Sequence, residues 1–580
     1  ITDTKQTLEY ETERPNSLYD PSGSFQNINR RYDIVYGDVM LNFNYNIRRF
    51  DIAATLGWTG RYENMNNMRV STNGGLVTEN WFDLNASRYT ASSTLQRMEL
   101  LKTGYMGTLS LGWDNYLFLE LTGRQERSST LKDQSFFYPS ANLSFLFSNA
   151  FRMPAWWNHG KLRLSYGVVG NAPETYAANI IYEQGSDNGF TWNYVPSSWG
   201  NANIRPEKKY EYEIGFESKF LNNRLGFDVS YYNNRVKDQI LSTPQPSTSG
   251  VKYVLMNVGE VANEGWDISV SATPVLTKNF RWDLTANYGI YRNKVVKLAD
   301  GVPYLEISNI GGGGAKIQAV EGRPMGDIYV QVPQMNENGE YLVSDKGLYM
   351  NQTELQRVGN INPDGVGGLF SSFSYKNIFL DFSIDFRIGG DVINEMYQYS
   401  TASGLTPESL QFRDTEHGGL SYYYPGNNNA SGVPVQVDPS LGAGPNGETV
   451  YHDGVILPGV VASTGEKNTR IIPAGYYYNQ TYNWGTQPEQ LTYRHSVFDN
   501  SYVKLRELTI GYQFPEKLIS KLGMTRLSVS VFGRNLFYFY KALKNYDAES
   551  SVGTSWASQA VVGGSTTATR NFGVSLRASF

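Results

Sequence analysis

Hydrophobic and polar residues alternate with a period of two along much of this 580-residue chain. In the segment from Leu380 to Ile388, apolar side chains occupy every second position and are separated by three charged residues and a serine. Successive side chains of an extended strand point to opposite faces, so this segment has one apolar and one charged face. The pattern predicts a β-strand, and the strand alone fits both a soluble sandwich and a membrane barrel.

The connections between the predicted strands separate these two folds. Fifteen strands are predicted, at about residues 32–47, 50–58, 104–113, 116–123, 141–147, 162–168, 210–220, 225–231, 266–272, 280–290, 368–375, 378–388, 502–514, 525–532 and 570–580. Short turns such as Arg48-Arg49 and Asp114-Asn115 alternate with long segments, which include 59–103, 169–209, 291–367 and 389–501. Outer-membrane barrels combine short periplasmic turns with long extracellular loops, whereas a sandwich has no reason to lengthen every second loop. We therefore predict an all-β fold, a large antiparallel transmembrane β-barrel.

The composition agrees with a barrel and excludes several classes of function. Aromatic residues make up 14% of the chain although its mean hydropathy is −0.42, as expected when apolar and polar faces alternate and rings line both membrane interfaces. The formal net charge of −5 offers no basic surplus for nucleic acid. Cysteine is absent and the four histidines are scattered, and we found no catalytic constellation. We expect no metal, no cofactor and no enzymatic activity.

The last predicted strand alternates up to the final residue, Phe580. A terminal aromatic residue on such a strand looks like the signal read by the barrel-assembly machinery, although an ordinary edge strand could also end in Phe. If Phe580 lies at the periplasm, fifteen alternating strands place residues 1–31 in the tail of an extracellular loop and 32–580 in the C-terminal portion of the barrel. Bacterial single-chain barrels have even strand counts, so we expect strands upstream of this sequence.

A series of motifs from about residue 105 onward resembles the SusC/RagA branch of TonB-dependent outer-membrane transporters, found in Bacteroidota. They are Tyr138-Pro139-Ser140, 167–171, 204–207, 257–261, 321–326, 359–364, Lys504-Leu505-Arg506, Asn535-Leu536 and 546–549. Two positions depart from the family pattern, with Pro206 where Trp is common and Ala548 where Pro is frequent.

The resemblance implies a barrel of about 22 strands with a plugged lumen. It also implies a plug domain and a TonB-contacting segment, neither of which can be placed in this sequence. As partners it implies TonB, a SusD-like lipoprotein lid, outer-membrane lipid and an oligosaccharide or peptide cargo, with a dimer of transporter–lipoprotein pairs as one assembly. The expected location is the cell outer membrane, which the chain crosses many times.

Aromatic clusters in the predicted external loops are the candidate contact residues. They are Trp192, Tyr194, Trp199, Tyr422, Tyr423, Tyr424, Tyr476, Tyr477, Tyr478 and Trp484. Their rings suit sugars and peptide side chains, and they equally suit a protein lid. A third interpretation is that they pack the loops together or form the outer aromatic girdle. The leading hypothesis is TonB-driven import of a bulky nutrient; a passive porin and a non-transporting surface adhesin or scaffold are the alternatives.

Overall fold

The computed structural model describes residues 2–12, 22–132, 135–187, 190–310, 313–483, 493–551, 553–564 and 568–580. All fifteen predicted strands are present, which confirms the antiparallel all-β prediction. The chain divides into two compact units. Unit 1 comprises Ile1–Ser218, Ser230–Ala262 and Ala299–Val302, and unit 2 comprises Lys219–Val229, Asn263–Leu298 and Pro303–Phe580.

Unit 1 contains seven strands that pair antiparallel with their neighbours in sequence. They are β1 (Thr2–Thr12), β2 (Ser24–Ile47), β3 (Phe50–Leu76), β4 (Ser87–Trp113), β5 (Leu117–Ser128), β6 (Ser135–Phe145) and β7 (Trp157–Asn171). The short helix α1 (Phe147–Ala150) lies between β6 and β7. A hairpin of β8 (Glu183–Asp187) and β9 (Phe190–Tyr194) follows, and then β10 (Ser198–Trp199).

The segment 59–103, predicted as a long connection, is an extension of the β3–β4 hairpin. Each of these strands has 27 residues, whereas about 9–11 residues cross a bilayer. The hairpin therefore continues well beyond the thickness of a membrane. The region 1–31 likewise contains β1 and the first part of β2, and its assignment to an extracellular loop stays a prediction.

Three strands contribute residues to both units: β11 (Glu207–Phe220), β12 (Leu225–Pro244) and β13 (Tyr253–Leu276). The wall strands of unit 2 are β14 (Phe280–Lys297), β20 (Gly365–Tyr375), β21 (Ile378–Ile388), β29 (Tyr502–Gln513), β30 (Arg526–Lys541) and β32 (Asn571–Ser579). They pair antiparallel in that order.

Between these wall strands lie short elements that the sequence did not predict. They are β15 (Tyr304–Ile310), β16 (Ala315–Val320), β17 (Asp327–Val330), β18 (Leu342–Val343), β19 (Gln356–Asn360), β22 (Asp391–Asn394), α2 (Glu395–Ala402), β23 (Leu420–Tyr423), β24 (Val435–Gln436), β25 (Val450–Val455), β26 (Val460–Val461), β27 (Ile472–Pro473), α3 (Ala474–Tyr482), β28 (Val497–Asp499), α4 (Glu516–Ile519) and β31 (Val561–Val562). We call residues 303–364, 389–501 and 542–570 the loop region of unit 2.

In both units, tight turns join neighbouring strands where the sequence predicted short connections. Asp114 and Asn115 have φ of 49° and 57°, and the Tyr116 N–H donates to the Trp113 carbonyl at 3.1 Å. Two consecutive left-handed residues match the twist of the flanking strands, and Asp and Asn tolerate this conformation better than most residues.

The strand register in unit 1 aligns apolar side chains into continuous rows. One row crosses six strands through Tyr45, Ile52, Leu111, Leu119, Leu143 and Leu164. Residues on this face are partly or largely exposed, and Leu41 and Val39 each keep 70% of their accessible surface. A water-soluble sheet would bury such a face against protein.

Unit 2 shows the same arrangement. One of its rows runs through Trp282, Phe373, Leu380, Ile510, Val531 and Val574. Val574 and Leu576 are 71% and 68% exposed. Lipid is the solvent that stabilises an extended, exposed apolar face of this kind.

Most of the fully buried apolar side chains belong to the segments that connect the long strands in sequence. In the loop region of unit 2, one cluster includes Ile317, Ile328, Val330, Ile393 and Tyr493, all of them inaccessible to solvent. No helix in the described part of the chain is both long and apolar enough to span a membrane.

Candidate functional site

The face opposite the apolar rows is polar in each unit. In unit 1, Ser110, Glu120 and Asn142 are consecutive members of one row. The Asn142 amide donates to the Glu120 carboxylate at 3.2 Å, and Thr122 and Ser140 hydrogen-bond at 2.6 Å one row above. These two bonds link side chains of the neighbouring strands β5 and β6 across the polar face.

In unit 2 the polar face carries charged pairs. The Arg506 guanidinium contacts the Asp385 carboxylate at 2.8 Å, and it also pairs with Glu549. Lys504, which is almost fully buried, donates to the same Glu549. Lys504 and Arg506 belong to one family motif and Glu549 to another, so the fold joins two motifs that the sequence showed only as separate signatures.

A second cluster joins two other motifs in the loop region of unit 2. The buried carboxylate of Asp327 accepts hydrogen bonds from Arg323 at 2.7 Å, Arg357 at 2.8 Å and Asn360 at 2.9 Å. Burial raises the pKa of Asp327, but the bonds from Arg357, Asn360 and Arg323 outweigh it, and the pKa lies below its usual value. The Asp327 carboxylate therefore connects, through ion pairs and a hydrogen bond, segments that lie about 30 residues apart in sequence.

The predicted aromatic clusters differ in exposure. Trp192 and Tyr194 lie on β9 and are exposed, and the Trp192 ring lies over Gly185 on the opposite strand of the hairpin. A hydrogen bond to the Glu183 carboxylate raises the pKa of the Tyr194 hydroxyl. Trp199 is half-buried and meets the Tyr182 ring edge to face, with centroids 5.9 Å apart. These rings leave apolar surface open to a partner.

The Tyr422–Tyr424 cluster is largely internal. Tyr422 is 1% exposed, stacks on Tyr451 with centroids 5.5 Å apart, and donates its hydroxyl to Asp453 at 3.1 Å. Burial and the nearby Asp453 raise the pKa of Tyr422. Tyr423 and Tyr424 are half-buried. Tyr422 therefore packs the loop and presents no open ring face.

The third cluster lies on α3. Tyr478 is buried and donates its hydroxyl to the Glu408 carbonyl at 2.8 Å, and burial raises its pKa to about 12. Tyr477 is half-buried and Tyr476 is exposed. Trp484, also predicted as a contact residue, lies outside the described residues. Phe580 follows β32 and is 82% exposed.

The structure thus divides the predicted contact residues into packing residues and surface residues. Tyr422 and Tyr478 fit the packing interpretation, whereas Trp192, Tyr194 and Tyr476 stay predicted contact residues. Over the described ranges, no group of three or more His, Asp or Glu residues is placed to hold a metal ion. The chemistry that the described polar groups support is binding by hydrogen bonds, ion pairs and ring contacts.

Comparison with known proteins gives concordant matches. Residues 2–327 match the family model described as TonB dependent receptor-like, beta-barrel. The TonB-dependent receptor P3 of Formosa agariphila is 22% identical over 494 residues, which cover 77% of this chain and 42% of the relative. The TonB-dependent receptor SusC of Bacteroides thetaiotaomicron is 27% identical over 256 residues, covering 39% of this chain and 24% of SusC.

Among solved structures, the RagAB peptide transporter has the same fold. It superposes with a TM-score of 0.71 at 18% identity, covering 99% of this chain and 58% of that one. Its open-open state gives the same TM-score, with 100% and 58% coverage. The chain spans less than two thirds of the length of each of these proteins.

Proposed function

Because this chain belongs to the TonB-dependent receptor family of outer-membrane β-barrel proteins, we propose that the protein imports a bulky nutrient by energy-coupled transport. The apolar rows support a membrane position, since side chains such as Leu41 and Val574 remain exposed across neighbouring strands. The polar faces support a water-lined path. The proposed cargo is an oligosaccharide or a peptide, and the proposed step is binding and gating without bond breakage.

A SusD-like surface lipoprotein is the proposed lid. Exposed apolar residues of the loop region of unit 2 support a protein partner there, among them Leu405, Val433, Val435, Leu441 and Tyr476. Apolar and aromatic side chains of this kind form the centres of protein interfaces. The buried apolar cluster and the ion pairs of Asp327 in the same loop region support a folded docking surface.

The single observation that carries the transport proposal is the apolar face that remains exposed on paired strands in a chain of this family. Uptake by cells carrying the whole protein tests it. Fluorescent peptides and oligosaccharides are supplied to cells with and without TonB, and surface-bound and internal label are measured separately. We expect TonB loss to abolish internal label and to leave surface binding intact.

Two results contradict the proposal. Equal uptake without TonB would indicate a passive porin, and the absence of any uptake defect on deletion of the protein would indicate an adhesin or scaffold. Deletion of the candidate lipoprotein tests the lid separately. Its loss should reduce capture of cargo at low concentration, while the TonB dependence of the remaining uptake is unchanged.

A further inference from the structure

Unit 1 contains a cavity of about 810 Å³ beside the extended β3–β4 hairpin. It is bounded by the hairpin, by the segment after β5 and by residues 175–180. Its lining includes Tyr62, Glu99, Leu101, Lys132, Tyr176 and Asn179. This volume falls within the range of about 300–1,000 Å³ that is usual for small-ligand sites.

The strand register places two lining residues, Tyr62 and Leu101, on the outward face of the hairpin, whereas the neighbouring Leu100 belongs to the opposite face. Trp58 pairs with Tyr105, and four residues further along β3 Tyr62 pairs with Leu101. Because side chains at every second position share a face, all four belong to the exposed face that carries the apolar rows. Tyr62 lies about 13 Å along the strand from Trp58 at about 3.3 Å per residue. The cavity thus opens just beyond the apolar band, where the sugars of outer-leaflet lipids lie.

The end of β5 at Ser128 creates the cavity wall. Among the described residues, the pairing of β4 with β5 ends at this point, and the Ser129 N–H then donates to the Leu101 carbonyl at 2.9 Å. Side-chain oxygens also meet this edge. The Leu101 N–H donates to Ser129 Oγ at 3.0 Å, and the Glu99 N–H donates to the Tyr176 hydroxyl at 3.2 Å. The loop carrying Tyr176 is therefore fixed against the strand edge.

Tyr176 has an unusual backbone conformation. Its φ is +66°, in the left-handed region that bulky side chains rarely adopt. Such strain persists where the surroundings hold it, and it is concentrated at binding sites. The hydrogen bond from the Glu99 N–H holds the Tyr176 hydroxyl, and Tyr176 and Tyr62 both line the cavity.

The lining chemistry selects the ligand class. It combines two tyrosines, an amide at Asn179, three hydroxyl residues and apolar patches, with one acidic and one basic side chain. An acyl-chain site would lack these polar groups. Aromatic rings beside neutral donors and acceptors suit the faces and hydroxyls of sugars.

We propose that this cavity binds a short oligosaccharide, and that its source is the sugar portion of an outer-leaflet glycolipid. Tyr62 and Leu101 favour this source, because a ligand that contacts them lies on the side of the lipid-facing rows. The assignment is independent of the transport proposal, so cargo uptake should be unchanged by variants of the cavity.

Binding to the whole purified protein in detergent tests the proposal. The probes are rough lipopolysaccharide, the core oligosaccharide released from it by mild acid, and a maltooligosaccharide of similar size, with binding followed by native mass spectrometry. Tyr62→Ala removes one ring, Glu99→Gln removes the carboxylate charge, and Ala202→Trp fills the cavity from its exposed rim. Tyr89→Ala, at an exposed tyrosine of the same hairpin outside the cavity lining, is the matched control.

We expect lipopolysaccharide and its core oligosaccharide to bind, roughly tenfold more weakly to Tyr62→Ala and Ala202→Trp and unchanged to Tyr89→Ala. Rescue of core binding by Tyr62→Phe would confirm that the ring is the contact. If lipopolysaccharide binds but its core oligosaccharide does not, and the variants leave this binding unchanged, the lipid binds to the apolar rows. That result would overturn the proposal. Binding of maltooligosaccharide alone would overturn the glycolipid assignment. Heat-modifiable gel mobility verifies that each variant is folded.

Discussion

Replacement of Leu41 by arginine tests whether the exposed apolar rows face lipid. Leu41 lies on β2, six residues before Ile47, and is opposite Leu56 on β3. A rise of about 3.4 Å per residue in a strand tilted by about 40° gives roughly 2.6 Å of height per residue, so Leu41 lies about 16 Å above the turn. An apolar band about 25 Å tall therefore includes Leu41 near its middle.

The expected cost follows from this depth. Arginine at the bilayer midplane of a β-barrel destabilises it by about 2–4 kcal/mol, and the long side chain reduces the cost when its charged end reaches the interface. In a water-soluble protein, the same change at a side chain that is 70% exposed would be within about 0.5 kcal/mol.

The matched control is Asn42→Arg, one residue along the same strand and on the polar face. Asn42 accepts a hydrogen bond from Thr55 at 2.8 Å, so its replacement should cost no more than about 1 kcal/mol. Urea unfolding of the whole protein in liposomes, followed by gel mobility, measures both variants. If Leu41→Arg costs no more than Asn42→Arg, the row faces water and the lipid-facing assignment is wrong.

Three further predictions concern the loops and the C-terminus. Asp327→Asn should weaken the loop region of unit 2 by about 1–3 kcal/mol at neutral pH, measured by the proteolysis rate, because Arg323 and Arg357 lose their buried negative charge. Because folding lowers the pKa of Asp327, the stabilisation from its carboxylate is fully present above pH ~4 and is lost as the pH falls through the pKa of the folded protein. The proteolysis rates of the variant and the original protein should therefore become equal in acid. A difference that does not change with pH would refute the charge argument. Tyr422→Ala should destabilise the loops by about 3–5 kcal/mol in the same assay, whereas Trp192→Ala should change stability by less than about 0.5 kcal/mol and weaken binding of cargo or lid; equal effects on stability would contradict the burial difference. Phe580→Ala should slow assembly into the outer membrane, measured by pulse-chase labelling, while unfolding of the assembled protein stays within about 0.5 kcal/mol, because this exposed side chain packs on little.

The wall strands could be predicted because their pattern is local. A strand such as β21 shows its two faces in eleven consecutive residues, and the turn at Asp114-Asn115 is specified by residues that tolerate left-handed backbone. The lengths of β3 and β4 could not be predicted. Beyond Trp58, polar Asn64 and Asn66 occupy outward positions and apolar Met65 an inward one, so the period-two signal ends although the backbone pairing continues.

The candidate contact residues show the limit of sequence reasoning more clearly. Tyr422 and Trp192 look alike as loop aromatics, yet one is enclosed by Tyr451 and Asp453 and the other lies open over Gly185. Whether a loop aromatic is buried depends on contacts with residues distant in sequence. The local sequence pattern therefore does not predict it.

The sequence by itself determined which segments become strands, which face of each is apolar and which turns are tight, because these follow from side-chain spacing within a few residues. Tertiary structure decided the rest. Cross-strand register joined separate apolar faces into continuous rows, and folding of the loops brought Asp327 to Arg357 and left a cavity where β5 ends beside β4. These features arise from contacts between distant segments, whose geometry exists only once the chain has folded.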